Sequence, residues 1–187
     1  MVGRVDPDPQ RDLVYAAEAE IDSHRLPTIG DVQRFLDGAM GLIREEVIPT
    51  ELATLDDARV PPELRAEIEA WRAHGHRLRC FGLAAPDQRR ILVVDAGQEV
   101  LSNGLNALHE ATHILVPTPE EPHGPTFVRA WLDFLDRFGS YQVPAVSLAG
   151  NLQRAGVRID KVPSRLWRDG DTSGRLIPAW YDLQPHS

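Results

Sequence analysis

Apolar positions along the chain fall into blocks whose spacing changes with position. After Asp8-Pro9, Leu13, Val14, Ala17 and Ile21 recur at helical intervals, and an aspartate followed by proline suits the opening of a helix that should run to about Ser23. A second helical block carries Val32, Phe35, Leu36, Ala39, Leu42 and Ile43 on one face, with Asp31 near its start and Gly38 and Gly41 weakening its interior. From Val47 to Leu55 the pattern fits a short strand or an irregular connection, and Pro49 excludes the centre of a sheet. Pro61-Pro62 then opens a third helix with Leu64, Ile68 and Trp71 on one side and Gly75 as its stop.

Between Arg77 and Val94 the period drops to two. Leu78, Cys80 and Gly82 alternate with Arg77, Arg79 and Phe81, Ala85 to Gln88 make a turn, and Ile91 to Val94 return, which predicts a β-hairpin. Ser102 or Asn103 caps the next helix, where Leu105, Leu108, Thr112 and Leu115 share one side before Pro117 ends it. A proline-rich acidic loop, Pro117 to Pro122, leads into the most strongly amphipathic segment, with Phe127, Trp131, Phe134, Leu135 and Phe138 inward and Gly139 as its stop. One short helix over Pro144 to Ala155 and a terminal strand or hairpin in the tail complete the set. The class is α+β, mainly helical, with a small antiparallel sheet or hairpin. We read residues 1–187 as one domain, comprising N-terminal helices over 8–46, a core over 77–139 and a C-terminal extension over 140–187.

Composition narrows the function classes. With 42% hydrophobic and 26% charged residues the chain has ordinary globular usage, which excludes wholesale disorder. No apolar run approaches a membrane span and the first residues lack the apolar stretch of a secretion signal, so no membrane partner and a cytoplasmic location are expected. The net charge is −8, which opposes binding to a phosphate backbone. That excess lies in residues 1–73, with 16 acidic and 8 basic side chains, and the remainder is balanced. A single cysteine, Cys80, can form neither an intramolecular disulfide nor a cysteine metal cluster, so any metal falls to histidines and carboxylates.

The sequence His109-Glu110-Ala111-Thr112-His113 is such a set. Residues at i and i+4 share a helix face, so both imidazoles can reach one ion while Glu110 projects beside them toward a water. A catalytic zinc takes three protein ligands, and His123, after nine intervening residues from His113 at the start of the next helix, is the candidate third. The expected site is therefore His109, His113 and His123 as metal ligands for one Zn2+, with Glu110 as the catalytic carboxylate. Ligand type constrains a divalent ion only loosely, which leaves iron and manganese open beside zinc.

The stretch HEATH followed by HGPTFVRAWLDFLDRFG resembles the zinc-binding core of SprT-like and related minimal zincins. QRDLVYAAEAEI, DVQRFLDGAMGL and the same core together resemble, in patches over residues 10–140, an HExxH metallohydrolase family of actinobacteria and their phages. The resemblance implies a zincin-like fold and assigns the metal to His109, His113 and His123 and the catalytic carboxylate to Glu110. The chain departs from that pattern in a longer segment from Ile48 to Gly75, and in Ala111-Thr112 where a bulkier apolar pair is common. It does not meet the HExxHxxGxxH pattern, because the third histidine is too distant and the glycine is absent.

These readings converge on a zinc-dependent hydrolase, a peptidase, in which Glu110 acts as general base on a metal-activated water. The partner is a peptide or protein substrate, and the hairpin strand with Leu92 and Val93 could pair an extended peptide through its edge. Candidate oxyanion donors are Tyr15, Arg129 and Tyr141, by residue type. Asn106, one turn before His109, could orient an imidazole. Glu120 and Glu121 read as a solvated acidic loop, His74 and His76 as surface residues, and Cys80 as core. The alternatives are a catalytically inert metal-stabilised binding or regulatory module, and a DNA-associated protease resting on the basic cluster of Arg77, Arg79, Arg89 and Arg90.

Overall fold

Each apolar block becomes an element whose burial follows its period. The computed structural model describes residues 8–23, 25–41, 47–75, 80–95, 102–138, 145–162 and 164. In chain order the elements are α1 (Arg11–Ala19), β1 (Arg25–Leu26), α2 (Ile29–Gly41), β2 (Thr50–Thr54), α3 (Pro62–Ala73), β3 (Cys80–Ala85), β4 (Arg90–Asp95), β5 (Ser102–Asn103), α4 (Gly104–Leu115), α5 (Pro125–Phe138) and α6 (Ala145–Arg154). The described residues are thus mixed α+β with helices dominating. None of the helices among them is long and apolar enough to cross a membrane.

The sheet corrects one expectation. It has three strands in the order β2-β4-β3 and is mixed rather than antiparallel. β4 runs parallel to β2, Thr50 opposite Ile91 through Thr54 opposite Asp95, and antiparallel to β3, Cys80 opposite Asp95 through Ala85 opposite Arg90. The hairpin forms as its alternation implied, turning through Pro86–Gln88, with Arg89 in the left-handed region at φ 48°. Residues 50–54 become a full strand, placed at the edge as Pro49 requires, because their backbone partners come from β4, about 40 residues away in sequence. A separate two-stranded ladder joins β1 to β5.

β4 is buried on both faces, and its alternation separates two clusters. Ile91 and Val93 join the main core, whereas Val94 packs with Ala53 and Val60 in a smaller one that Leu64 of α3 and Phe81 complete. The main core is built around α4 and α5. Leu105, Leu108 and Leu115 of α4 meet Phe127, Trp131, Phe134 and Leu135 of α5 there, each of the large ones contributing about 1.5–3 kcal/mol by burial. α1 is shorter than expected, and its stripe is rotated: Val14 and Ala17 are buried, while Leu13 is 40% exposed. Asp8 does not cap it, since the N-cap position is Gln10 and makes no side-chain cap bond. On α3 only Ile68 is buried, and Gly75 follows at φ +80°, the left-handed stop the sequence suggested. The terminal strand proposed for the tail, the Gly139 stop, and Leu42 and Ile43 lie outside the described residues.

α1 is held in place by long-range bonds. The amide of Asn151 in α6 donates to the carbonyl of Ala17 at 3.1 Å, and the N–H of Leu105 donates to the Ser23 hydroxyl at 3.1 Å. These bonds tie the end of α1 to α6 and the segment after it to the start of α4.

Candidate metal centre

α4 opens at Asn103, whose side chain accepts from the N–H of Asn106 at 2.9 Å. This cap fixes where the helix starts, and so which face carries His109 and His113. That face points at the main core, and His109 is 2% exposed. The acidic loop then folds back: Glu121 N–H donates to Thr118 O, Gly124 N–H donates to Glu121 O, and His123 arrives against α4 immediately before α5. The three Nε2 atoms converge, with His109 Nε2 3.1 Å from that of His123 and 3.2 Å from that of His113. A tetrahedral ion bound by nitrogens at about 2.0–2.1 Å sets neighbouring nitrogens about 3.3 Å apart. The three histidines therefore lie close enough to bind one metal ion.

Behind the imidazoles stands an aromatic wall. Phe127 stacks on His113 at 4.1 Å between centroids, and Trp131 meets His109 edge-on at 4.8 Å. Burial lowers the pKa of His109, and that of His113 to about 3, with the neighbouring histidines adding to the effect. Both rings are therefore neutral at pH 7, the form in which an imidazole offers a lone pair.

Glu110 turns away from the core toward the sheet. Its Oε2 accepts from the N–H of Ala84 on β3 at 2.8 Å. Because Ile91 N–H donates across to Pro49 O on the β2 side, its antiparallel partner Ala84 directs its own N–H to the open edge of β3, away from β4. The side chain reaches that edge by crossing Gly82, where a Cβ would lie 2.6 Å from Glu110 Cγ. Burial raises the Glu110 pKa to about 7, and the Ala84 N–H opposes the shift.

Three residues ahead of or within α1 complete the surroundings. Asp8 Oδ2 lies 2.6 Å from His123 Nδ1, and Asp8 Oδ1 accepts from the His123 N–H at 3.2 Å. Glu18 Oε2 is 3.5 Å from His109 Nδ1, and burial followed by the nearby Glu110 charge raises its pKa to about 8. Tyr15 packs between, its ring 5.0 Å from His123 and 5.7 Å from His109. It is 45% exposed, yet the burial it has, with the charges of Glu110 and Glu18, pushes its phenol pKa upward.

The other candidates fall elsewhere. Arg129 is 1% exposed and pairs with Asp133 at 2.9 Å within the core, which removes it from the oxyanion role. Tyr141 lies outside the described residues. Asn106 enters as the backbone donor to the Asn103 cap, and the groups beside the imidazoles come instead from α1 and its approach. Glu120 is exposed and Glu121 pairs with Arg158. His74 is exposed and donates to Ala70 O at 2.7 Å, and His76 lies outside the described residues. Cys80 begins β3. Of the basic cluster, Arg90 is bound to Glu51 at 3.1 Å, and Arg77 and Arg79 are outside the described residues. Compared with protein-family models, with characterised proteins and with solved structures, the chain matches none.

Proposed function

We propose that the protein is a zinc-dependent hydrolase acting on peptides or proteins, with His109, His113 and His123 holding the ion and Glu110 as general base. The observation that carries this reading is the pairing of two features on one helix turn. Convergent Nε2 atoms supply a three-nitrogen donor set, and the next residue is a carboxylate held off those nitrogens by the Ala84 N–H at 2.8 Å. A binding module that merely uses metal to hold its fold has no need of that carboxylate. The donor set fits a divalent ion by its spacing and by the neutrality of the His109 and His113 rings. Such an ion, when bound, lowers the pKa of water and polarises a carbonyl.

The chain's own groups perform the remaining steps. With its pKa near 7, Glu110 can accept a proton from the attacking water and return it to the leaving amine. Tyr15, exposed beside His109 and His123 with a phenol that stays protonated, is suited to donate to the oxygen on which negative charge develops. With the Ala84 N–H engaged by Glu110, the open edge of β3 offers the main-chain groups of Gly82 to an extended peptide running past Glu110. This relocates the peptide-pairing edge from the strand of Leu92 and Val93, which are both 1% exposed in the central strand β4.

The test is elemental analysis of the purified protein beside His123→Ala and Glu110→Gln, followed by cleavage of a fluorescence-quenched peptide library. The expected result is about one zinc per chain, sharply reduced in His123→Ala and retained in Glu110→Gln, with cleavage by the parent alone. No metal in any sample after zinc is added back would overturn the proposal. Stoichiometric zinc with no hydrolysis in the parent would favour the inert module instead.

A further inference from the structure

We propose that Asp8 is the positioning residue of this centre: its carboxylate holds His123 in the tautomer and orientation that turn Nε2 toward the other two histidines. The inference rests on the metal-centre reading above. It starts from the number of handles by which His123 is held. Asp8 Oδ2 meets Nδ1 at 2.6 Å, Asp8 Oδ1 accepts the backbone N–H at 3.2 Å, and the Gln10 amide donates to the backbone carbonyl at 2.6 Å. Every polar group of His123 other than Nε2 is thus engaged by two residues that precede α1, more than 110 positions away in sequence.

A carboxylate only accepts hydrogen bonds, so the proton of a neutral His123 must sit on Nδ1 and the lone pair on Nε2. The pair is enclosed, with the His123 side chain 6% and the Asp8 side chain 10% exposed, so water competes little for either group. An acceptor on Nδ1 also fixes the ring orientation that aims Nε2 at the cluster. Without it, the Nε2–H tautomer would place a hydrogen where the cluster converges. Gln10 adds a brace, because its Oε1 also accepts from Arg158 N–H at 3.0 Å. That bond ties the arrangement to the segment after α6.

The experiment uses the full chain and two readouts. Long-range proton–nitrogen NMR of the metal-free protein, with His123→Ala to assign the signal, reports which ring nitrogen carries the proton. Competition for Zn2+ against a chromophoric chelator reports affinity. The parent should show the Nδ1–H form, and Asp8→Ala should shift the ring toward Nε2–H and lose about 10- to 100-fold in zinc affinity. Asp8→Asn, nearly isosteric, offers one acceptor oxygen for two donors. It should fall between them, and it carries the test if Asp8→Ala does not fold. An unchanged tautomer together with zinc affinity within about twofold of the parent would overturn the proposal, whatever the variants do to thermal stability. If the parent binds no zinc, the metal reading fails, and the tautomer measurement alone decides the role of Asp8.

Discussion

Gly82 offers a sharp test of where Glu110 lies, because the reason for a glycine there is space and not backbone geometry. Among the described glycines, positive φ occurs at Gly75 and Gly156, so Gly82 sits in ordinary extended backbone. A Cβ added to it would lie 2.6 Å from Glu110 Cγ and 3.2 Å from Cδ and Oε1. Reaching van der Waals contact requires the Glu110 side chain to move by about 1 Å. That shift strains the 2.8 Å bond from Ala84 N–H. Overpacking of this kind costs about 1–3 kcal/mol, while losing the flexibility of glycine in the unfolded chain returns about 0.4–1 kcal/mol. Gly82→Ala in the parent should therefore be neutral to destabilising. In a Glu110→Ala background, where the obstacle is gone, the same substitution should stabilise by about 0.4–1 kcal/mol. The coupling between the two sites is then about 1–3 kcal/mol, readable by urea denaturation of the four metal-free proteins without knowledge of any substrate. Equal effects of Gly82→Ala in both backgrounds, within about 0.5 kcal/mol, would show that Glu110 does not cross β3 at this residue. The same displacement should lower any peptidase activity by about 10²-fold while zinc content stays at the parent level.

Other expectations follow from the same geometry. Glu18 has a folded pKa raised to about 8, so its contribution to stability is full below its unfolded value near 4.5 and is lost as pH rises toward 8. Metal-free Glu18→Gln should therefore gain on the parent across that interval, by on the order of 4 kcal/mol at most; a gain that does not grow with pH in paired thermal melts would contradict the burial of that carboxylate. Tyr15→Phe should keep stoichiometric zinc and lower kcat by about 10²-fold or more with little change in KM, and an undiminished kcat would remove Tyr15 from the oxyanion role. Zinc at 100 times its Kd should stabilise the parent by about 2.7 kcal/mol, an increment absent in His123→Ala and reversed by chelator; equal melting temperatures with and without zinc would deny the centre. Asn103→Ala removes the side-chain acceptor for Asn106 N–H and should cost about 0.5–2 kcal/mol, measured by denaturation; no change would mean that α4 starts elsewhere.

Local periodicity made α4, α5 and the hairpin legible because each answers to a single rule. Phe127, Trp131, Phe134 and Leu135 repeat at helical spacing, and all four are fully buried. Two of the three convergent histidines share a helix face by the i, i+4 rule, and the third lies just before the helix that the acidic loop returns. β2 was half-legible: Pro49 marks an edge, but nothing local selects a parallel partner from beyond α3. α1 begins later than the helix-opening pair Asp8-Pro9 implies, because Asp8 is drawn instead to His123.

A spacing rule finds groups that share a helix, whereas Asp8, Gln10 and Glu18 meet the histidines only through tertiary packing across some 90 to 115 positions. One local signal did exist. Glu18 lies four residues after Val14 and three before Ile21, on the stripe that α1 buries, where a solvated glutamate would not be placed. An acidic residue on an apolar stripe must either shift its pKa or find a donor, and here it does the first while lying 3.5 Å from His109 Nδ1. The same logic extends to Tyr15, one turn before Glu18, whose aromatic ring stands against two imidazoles while the residue stays 45% exposed. α1 thus presents a carboxylate and a phenol to the cluster from one face, with Asp8 joining them from the preceding turn. The expected ligand set and the groups that orient it lie some 90 to 115 positions apart in sequence, so loading the site with metal should also tighten the docking of α1 onto α4 and α5. Slower amide hydrogen exchange across residues 11–19 on adding zinc would register that coupling, and exchange that does not change would show that α1 docks independently of the ion.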